Sequence, residues 1–184
     1  MNLLLHTCCG PCAVKCIETL KNEGVTPDLF WHNPNIHPFT EYISRLESLT
    51  LLAERTELNL ITFGEYGLRS FLAEIGTDYD ERCPHCYRMR LVAVAKYAAE
   101  NGYDGFSTTL LISPYQNHEM IKDIGEALAD EYGIDFVYRD FRPHFREGQK
   151  QAREIGLYMQ KYCGCIFSEE ERYNNGKEYK NGHI

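Results

Sequence analysis

The amino-acid sequence predicts an α/β protein in which a mainly parallel sheet carries helices on both faces. Short apolar runs alternate with amphipathic segments from one end of the 184-residue chain to the other, as strands and crossover helices do in such folds. Apolar residues form 43% of the chain, enough to bury the core of one domain. We expect a single domain over residues 1–173 that carries the functional site, and a flexible tail over residues 174–184, which have almost nothing to bury.

Five short apolar runs predict the strands of this sheet. In chain order they lie at residues 3–6, 28–31, 60–63, 106–111 and 136–138. After the second run, the segment "HNPNIHP" at residues 32–38 is predicted to be a loop, because prolines and asparagines favour turns. Three glycines, Gly64, Gly67 and Gly76, predict a less regular segment between the third run and Cys83.

Apolar residues at helical spacing predict the helices between these strands. Ala13, Ile17 and Leu20 recur at helical intervals after the first strand, and residues 39–53 do so after the loop. Further helices are expected at residues 86–99, 120–132 and 147–162.

The eight cysteines of the chain indicate metal or redox chemistry. The first apolar run, residues 3–5, is too short for the apolar region of a signal peptide. No stretch approaches the length of a membrane span. A secreted disulfide scaffold is therefore disfavoured, and we expect a cytoplasmic protein in a reducing compartment, with no membrane partner.

The charge pattern is acidic overall with one basic segment. Nineteen basic and 27 acidic residues give a net charge of −8, which argues against a general nucleic-acid coating protein. Four cations are spaced to share one side of a helix, and we call them the basic stripe: Arg142, Arg146, Lys150 and Arg153. A solvated helix face is the commoner origin of such a stripe. Contact with a phosphate backbone is the alternative.

The turn after the first strand, Thr7-Cys8-Cys9-Gly10-Pro11-Cys12, is the first candidate site. In open parallel sheets, ligands bind outside the carboxyl ends of the strands. A nucleotide-binding sheet would carry a glycine-rich phosphate loop here, but this chain has cysteines in its place. Pro11 can start a helix, and a helix N-terminus lowers the pKa of a thiol. The turn therefore favours both dithiol chemistry and metal binding.

A second pair of cysteines, Cys83 and Cys86, also lies at the start of a predicted helix. Two such pairs can supply four thiolates to one centre, whereas a thioredoxin-type enzyme needs only one pair. Spacing alone leaves structural zinc and an iron–sulfur cluster equally open. Two other hypotheses are a thiol–disulfide oxidoreductase that uses Cys9 and Cys12, and a zinc-stapled binding module without catalysis. Cys16 is expected to be a small buried apolar residue.

Cys163-Gly164-Cys165 forms a third pair. A disulfide across one intervening residue closes a small ring, so it should be strained and easily reduced. We interpret the pair as a redox-switchable dithiol or as further metal ligands, with two free thiols as the alternative.

Three further residues are candidates by their position after predicted strands. Tyr115 could donate a proton to a reacting oxygen, although capping or packing is the commoner role. His6 ends the first strand beside the cysteines, and His37 lies in the loop after the second strand.

Five motifs in order carry a resemblance to a known family: "HTCCGPC", "WHNPNIHPFTEYISRLE", "RCPHCYRMRL", "STTLLISPYQNHE" and "DFRPHFREGQKQAREIGLYMQKYCGCIFS". On these motifs, which cover nearly the whole chain, the sequence resembles the cobalamin-independent epoxyqueuosine reductases of the QueH family. The resemblance implies a Rossmann-like three-layer sandwich, similar to ATP-binding tRNA-modifying enzymes, with the phosphate loop replaced by cysteines. It also implies the last step of queuosine biosynthesis, the two-electron reductive removal of the epoxide oxygen of epoxyqueuosine at the wobble position of a tRNA.

The resemblance further implies a 4Fe-4S cluster and an additional iron ion. Carried onto this sequence, the cluster ligands are Cys8, Cys9, Cys83 and Cys86. The redox-active pair is Cys163 and Cys165, and Cys12 is the candidate ligand of the additional iron. Tyr115 or a histidine would be the proton donor, and the electron donor is unidentified. The cations that would receive the tRNA are Arg82, Arg88, Arg90 and the basic stripe.

Overall fold

Five strands and seven α-helices make up residues 1–174, the part of the chain that the computed structural model describes. The strands are β1 (Leu3–His6), β2 (Asp28–Trp31), β3 (Leu60–Thr62), β4 (Gly105–Thr108) and β5 (Asp135–Phe136). The helices are α1 (Gly10–Asn22), α2 (Phe39–Thr56), α3 (Leu68–Ile75), α4 (Arg82–Glu100), α5 (His118–Tyr132), α6 (Phe145–Glu154) and α7 (Ile166–Tyr173). None of these helices has both the length and the apolar character that crossing a membrane demands. Apart from Asn174, the expected tail lies outside the described residues.

The strands form one parallel sheet in the order β3-β2-β1-β4-β5. The central strand is β1, in which Leu5 lies opposite Leu29 of β2 and Ser107 of β4. On one face α1 packs against α2 and α6, and on the other α4 packs against α3 and α5. These helices cover both faces of the sheet, and the prediction of a three-layer α/β fold is confirmed.

The position of β1 follows from its composition. Leu3, Leu4 and Leu5 have no exposed area, because the strand has no polar face and helices cover both of its sides. Burial of each such side chain contributes about 1.5–3 kcal/mol. The connections leave β1 toward β2 on one side, and the chain returns to β4 on the other, so a crevice opens between the carboxyl ends of β1 and β4.

Two predicted elements are too long. The helix expected at residues 147–162 ends at Glu154, because Gly156 adopts a φ of +72° in the left-handed region. The strand expected at residues 106–111 ends at Thr108, whose side chain caps a short 3₁₀ helix over Thr109–Ile112. Both changes turn the chain toward the carboxyl edge of the sheet.

Two helices were not predicted. Helix α3 occupies the segment expected to be irregular, with Gly67 before it and Gly76, at a φ of +57°, after it. The glycines bracket this helix and do not interrupt it. Helix α7 begins directly after Cys165.

Gly10 opens α1 where this helix approaches α2. A Cβ atom at Gly10 would lie 2.7 Å from the Ser48 hydroxyl oxygen and 2.9 Å from the Ser48 carbonyl oxygen. We expect Gly10→Ala to lower the free energy of unfolding by about 1–3 kcal/mol, because backbone must move to admit the methyl group. Urea unfolding of the metal-free protein measures this change. The control is Asn22→Ala at the exposed end of α1, and equal stability of the two variants would contradict the close approach.

Candidate metal and redox site

Cys8, Cys9 and Cys12 bring their sulfur atoms together at the carboxyl end of β1. The three sulfurs lie within 4.8 Å of one another, and all three side chains are buried. Among the described residues, no other group of three or more His, Cys, Asp or Glu side chains has ligand atoms this close. Thiol donors at this spacing suit zinc, iron or an iron–sulfur cluster. The group can therefore hold a metal.

The start of α1 positions these sulfurs. Cys9 is the N-cap of the helix, and its Sγ accepts a hydrogen bond from the Cys12 amide at 3.4 Å. Pro11 lies in the first turn, where no amide donor is needed. The Cys8 amide donates to the Thr109 hydroxyl oxygen at 3.1 Å, and that hydroxyl lies 3.5 Å from Cys8 Sγ. The loop after β4 thus anchors the turn after β1.

The three thiols influence one another's ionisation. Hydrogen bonds from Cys12 and Cys9 lower the pKa of Cys8, and the charge of Arg90 acts in the same direction. Burial raises the pKa of Cys9, and the bond to Cys8 raises that of Cys12. The metal-free site therefore favours one thiolate, at Cys8. Deprotonating the other two thiols needs a bound cation, which couples metal binding to proton release.

A cavity of about 290 Å³ opens beside these sulfurs. Its wall includes Cys8, Cys12 and Cys163, so the first and third cysteine pairs meet at one space. Tyr115 and Phe145 also line the cavity, and their rings meet edge to face with centroids 6.0 Å apart. Tyr115 is 85% exposed, so this part of the cavity wall is open to solvent.

Cys83 and Cys86 lie in the first turn and a half of α4 and do not belong to the three-sulfur group. Cys83 is exposed, whereas Cys86 packs against the cluster formed by Phe71, Ile75 and Cys165. Burial raises the pKa of both thiols. Arg90, one turn further along the helix, donates from Nη1 to Cys86 Sγ at 3.3 Å. The second cysteine pair therefore lies beside the third pair, and its role as a source of cluster ligands stays a prediction.

Backbone contacts hold the Cys163-Gly164-Cys165 segment. The His37 amide donates to the Gly164 carbonyl at 2.8 Å. Cys165 is the N-cap of α7, and its Sγ accepts a hydrogen bond from the Ser168 amide at 3.4 Å. A hydrogen bond from Cys163, aided by Ser168, lowers the pKa of Cys165 to about 5. With both cysteines free, the pair offers a thiolate beside a thiol, as a redox dithiol requires.

Arg45 ties this segment to α2 and was missed by the sequence analysis. Its side chain is 1% exposed, and Nε binds the Glu41 carboxylate at 2.7 Å. Nη1 donates to the Cys163 carbonyl at 3.0 Å and Nη2 to the Tyr162 carbonyl at 2.9 Å. The four-residue spacing of Glu41 and Arg45 signals an ion pair on a helix. It does not signal burial, which comes from a segment more than a hundred residues away.

Gln160 is a second residue that the sequence analysis missed. Its Nε2 donates to Cys12 Sγ at 3.3 Å, and its Oε1 is buried without a hydrogen-bond partner. The segment that carries Gln160 was predicted to be helical, so its loop position at the cavity could not be anticipated.

The other candidates from the sequence are placed as follows. Cys16 is fully buried, as expected. Both ring nitrogens of His6 are used, by the Thr108 hydroxyl at 2.9 Å and the His32 carbonyl at 3.2 Å, so His6 is a structural residue. His37 is buried and binds the Pro34 carbonyl through Nε2. Burial lowers its pKa to about 4, which keeps the ring neutral at pH 7.

Of the cations predicted to contact RNA, Arg90 is buried and the others are at least partly exposed. The expectation for Arg90 is wrong, because its side chain is 3% exposed and cannot reach a macromolecule. Arg82 pairs with Glu171, and Arg88 is exposed on α4. All four residues of the basic stripe are exposed, with Arg142 just before α6 and the other three on that helix.

A parallel α/β sandwich with cysteines in the crevice that otherwise binds phosphates defines a protein with a thiol-based metal or redox site. The model of the family Epoxyqueuosine reductase QueH matches residues 3–171. An epoxyqueuosine reductase QueH of Dehalococcoides mccartyi is 40% identical, with 93% of this chain and 94% of that protein covered. That of Thermotoga maritima is 35% identical, with 99% and 98% covered. The chain belongs to the epoxyqueuosine reductase QueH family, as the sequence motifs suggested.

We expect Arg45→Met to destabilise the metal-free protein by about 3 kcal/mol or more, because it leaves the buried Glu41 carboxylate without its cation. Urea unfolding measures the loss. The double variant Arg45→Met with Glu41→Gln should be more stable than Arg45→Met alone, since no buried charge is then unpaired. A double variant less stable than the single one would show that the ion pair is not the cause.

Proposed function

We propose that the chain reduces epoxyqueuosine in tRNA to queuosine. The reaction opens the epoxide to an alkene and releases its oxygen as water, which consumes two electrons and two protons. The observation that carries the proposal is the cavity whose wall includes Cys8, Cys12 and Cys163, because a sulfur group that can hold a metal and a member of the third cysteine pair border one space of suitable size. Membership of the epoxyqueuosine reductase family supports the choice of substrate.

The donor set fits an iron–sulfur centre. Three buried thiols converge, and the buried cations Arg45 and Arg90 act on them and can balance the negative charge of such a centre. The proposed ligands of a 4Fe-4S cluster are Cys8, Cys9, Cys83 and Cys86, with Cys12 beside an additional iron. When bound, such a group supplies single electrons, and an oxophilic iron supplies Lewis acidity toward the epoxide oxygen.

Cys163 and Cys165 are the proposed two-electron store. Oxidation of the Cys163 thiol and the Cys165 thiolate forms one disulfide and releases two electrons and one proton. The pair thus supplies both electrons of the reaction, and solvent supplies the second proton. Cys163 lies in the cavity wall, and its hydrogen bond, aided by Ser168, lowers the pKa of Cys165 and favours the thiolate there. An external donor, still to be identified, would then reduce the disulfide again.

Tyr115 is the proposed proton donor to the departing oxygen. Tyr115 lines the cavity and is largely exposed to solvent, which supports a position for its hydroxyl at the mouth. A bound anticodon would cover this mouth, because the wobble base has to leave its stack to enter the cavity. Phe145, which touches the ring of Tyr115, offers an aromatic edge to the entering base.

Three residues of the basic stripe lie on α6, the helix that also contributes to the cavity wall. Phe145 and Gln149 of α6 line the cavity, and Arg146 and Lys150 are the next residue after each of them. Arg146 is exposed, and within residues 1–174 it has no acidic partner at ion-pair distance. It is therefore available to a tRNA phosphate.

Cysteine variants test the metal site. We expect Cys8→Ala and Cys86→Ala each to lose the iron and sulfide of anaerobically purified protein, together with its broad absorbance near ~400 nm. Conversion of epoxyqueuosine in tRNA, measured by nucleoside mass spectrometry, should be lost as well. Cys16→Ala is the matched control and should retain both, because Cys16 is buried outside the three-sulfur group.

The same preparation separates the alternatives. Zinc without iron would favour the zinc-stapled binding module. Metal-free protein that reduces disulfides and loses this activity in Cys12→Ser would favour a thiol–disulfide oxidoreductase. Either result would overturn the proposed function.

Charge reversal tests the RNA surface. We expect Arg146→Glu to weaken tRNA binding about tenfold near 0.1 M salt and to reduce the dependence of log Kd on log salt by about one unit or more. The control is Lys96→Glu, which makes the same charge change. Lys96 is exposed near the C-terminal end of α4 and does not line the cavity. Fluorescence anisotropy over a salt series measures both, and identical slopes would contradict a phosphate contact at Arg146.

A further inference from the structure

Arg90 is a buried cation with no carboxylate partner. It lies on the inward face of α4, and its side chain is 3% exposed. Nη1 donates to Cys86 Sγ at 3.3 Å, whereas Nε has no hydrogen-bond partner. Within residues 1–174, no acidic side chain lies at ion-pair distance from it. A guanidinium withdrawn from water requires a compensating anion.

Sulfur atoms are the groups within reach that can become anions, as thiolates or as metal-bound thiolates, and Cys8 already favours the thiolate. The charge of Arg90 interacts with Cys86 of the second cysteine pair. It also interacts with Cys8 of the three-sulfur group after β1 and with Cys163 of the third pair. Cys86 in turn packs against the cluster that contains Cys165. A single guanidinium therefore acts on all three pairs.

The neighbouring imidazoles do not share this role. Burial lowers the pKa of His6 to about 3, and it also lowers that of His32. The His32 carbonyl can only accept, so His6 Nε2 carries the proton and Nδ1 accepts from the Thr108 hydroxyl. Both rings are neutral at pH 7, so of Arg90, His6 and His32 only Arg90 carries a fixed positive charge.

We propose that Arg90 is a positioning residue that holds the Cys86 sulfur and raises the reduction potential of the sulfur centre. Each added electron makes the centre more negative, so a fixed cation beside it stabilises the reduced form more than the oxidised form. The same argument applies to the Cys163–Cys165 couple, whose reduced form carries a thiolate and whose disulfide is neutral. For the redox couple of the sulfur centre, the inference rests on the proposed iron–sulfur cluster. For the Cys163–Cys165 couple it needs only thiols of the chain.

Two substitutions at Arg90 separate charge from packing. Arg90→Met removes the charge and keeps most of the bulk, and Arg90→Lys keeps the charge. In Arg90→Met we expect the equilibrium constant for reduction to fall at least tenfold in each couple, about 59 mV for the one-electron centre and about 30 mV for the dithiol. In Arg90→Lys the shift should be less than half as large.

The reduction potentials of the iron–sulfur centre and of the Cys163–Cys165 couple are both measured on the full chain. Spectroelectrochemical titration of the anaerobic protein reports the iron–sulfur centre, and alkylation with mass spectrometry in glutathione buffers reports the Cys163–Cys165 couple. Arg88→Met is the control, because Arg88 lies on the same helix but is exposed, and it should leave both potentials unchanged. Should Arg90→Met not fold, Arg90→Gln serves as the neutral variant with the same expected shift.

The outcomes are distinct. Wild-type potentials in the neutral variant would overturn the proposal, and so would an equal shift in Arg90→Lys, since packing would then be the cause. Loss of iron in Arg90→Met with retention in Arg90→Lys would support it. A wild-type chain without iron would overturn the proposed function, and the dithiol couple would still decide the role of Arg90.

Discussion

The capping of helix α1 by the Cys9 side chain is the interaction on which the rest of the site depends. Cys9 Sγ accepts the hydrogen bond of the Cys12 amide, and this keeps the two sulfurs one turn apart at the end of the central strand. The Cys8 amide binds Thr109, so the turns after β1 and β4 move as one unit. In nucleotide-binding sheets the amides of this helix terminus bind phosphate. Here they bind sulfur, and the crevice accordingly suits a soft metal.

Charge balance explains how an acidic chain can build this site. The net charge of the sequence is −8, yet two buried cations, Arg45 and Arg90, act on the sulfurs, as does the partly buried Arg82. Arg45 has a carboxylate partner and serves mainly to anchor a loop. Arg90 has none among the described residues, and its charge is directed at sulfur. The neutral histidines nearby leave this balance unchanged at physiological pH.

Much of the fold could be predicted from local patterns, and less of the site. The apolar run of β1 and the cysteine turn after it were recognisable because both are contiguous in sequence. Helix α3 was missed because its flanking glycines look like breakers when their φ angles are unknown. Arg90 was assigned to RNA for a similar reason: charge is visible in a sequence, whereas burial depends on contacts across the sheet. The meeting of Cys8 with Cys163 at one cavity likewise requires the tertiary structure.

Cys165 serves two roles with one sulfur atom. As the first residue before α7, its Sγ receives the Ser168 amide, and as a member of the third cysteine pair it is also the proposed electron carrier. A sulfur in a disulfide is a poorer acceptor than a thiolate, so oxidation of the pair would weaken the first hydrogen bond of this helix and re-reduction would restore it. Helix α7 carries Arg172, which forms part of the cavity wall. On the proposed redox role, the shape of this cavity would thereby depend on whether the third cysteine pair is oxidised or reduced.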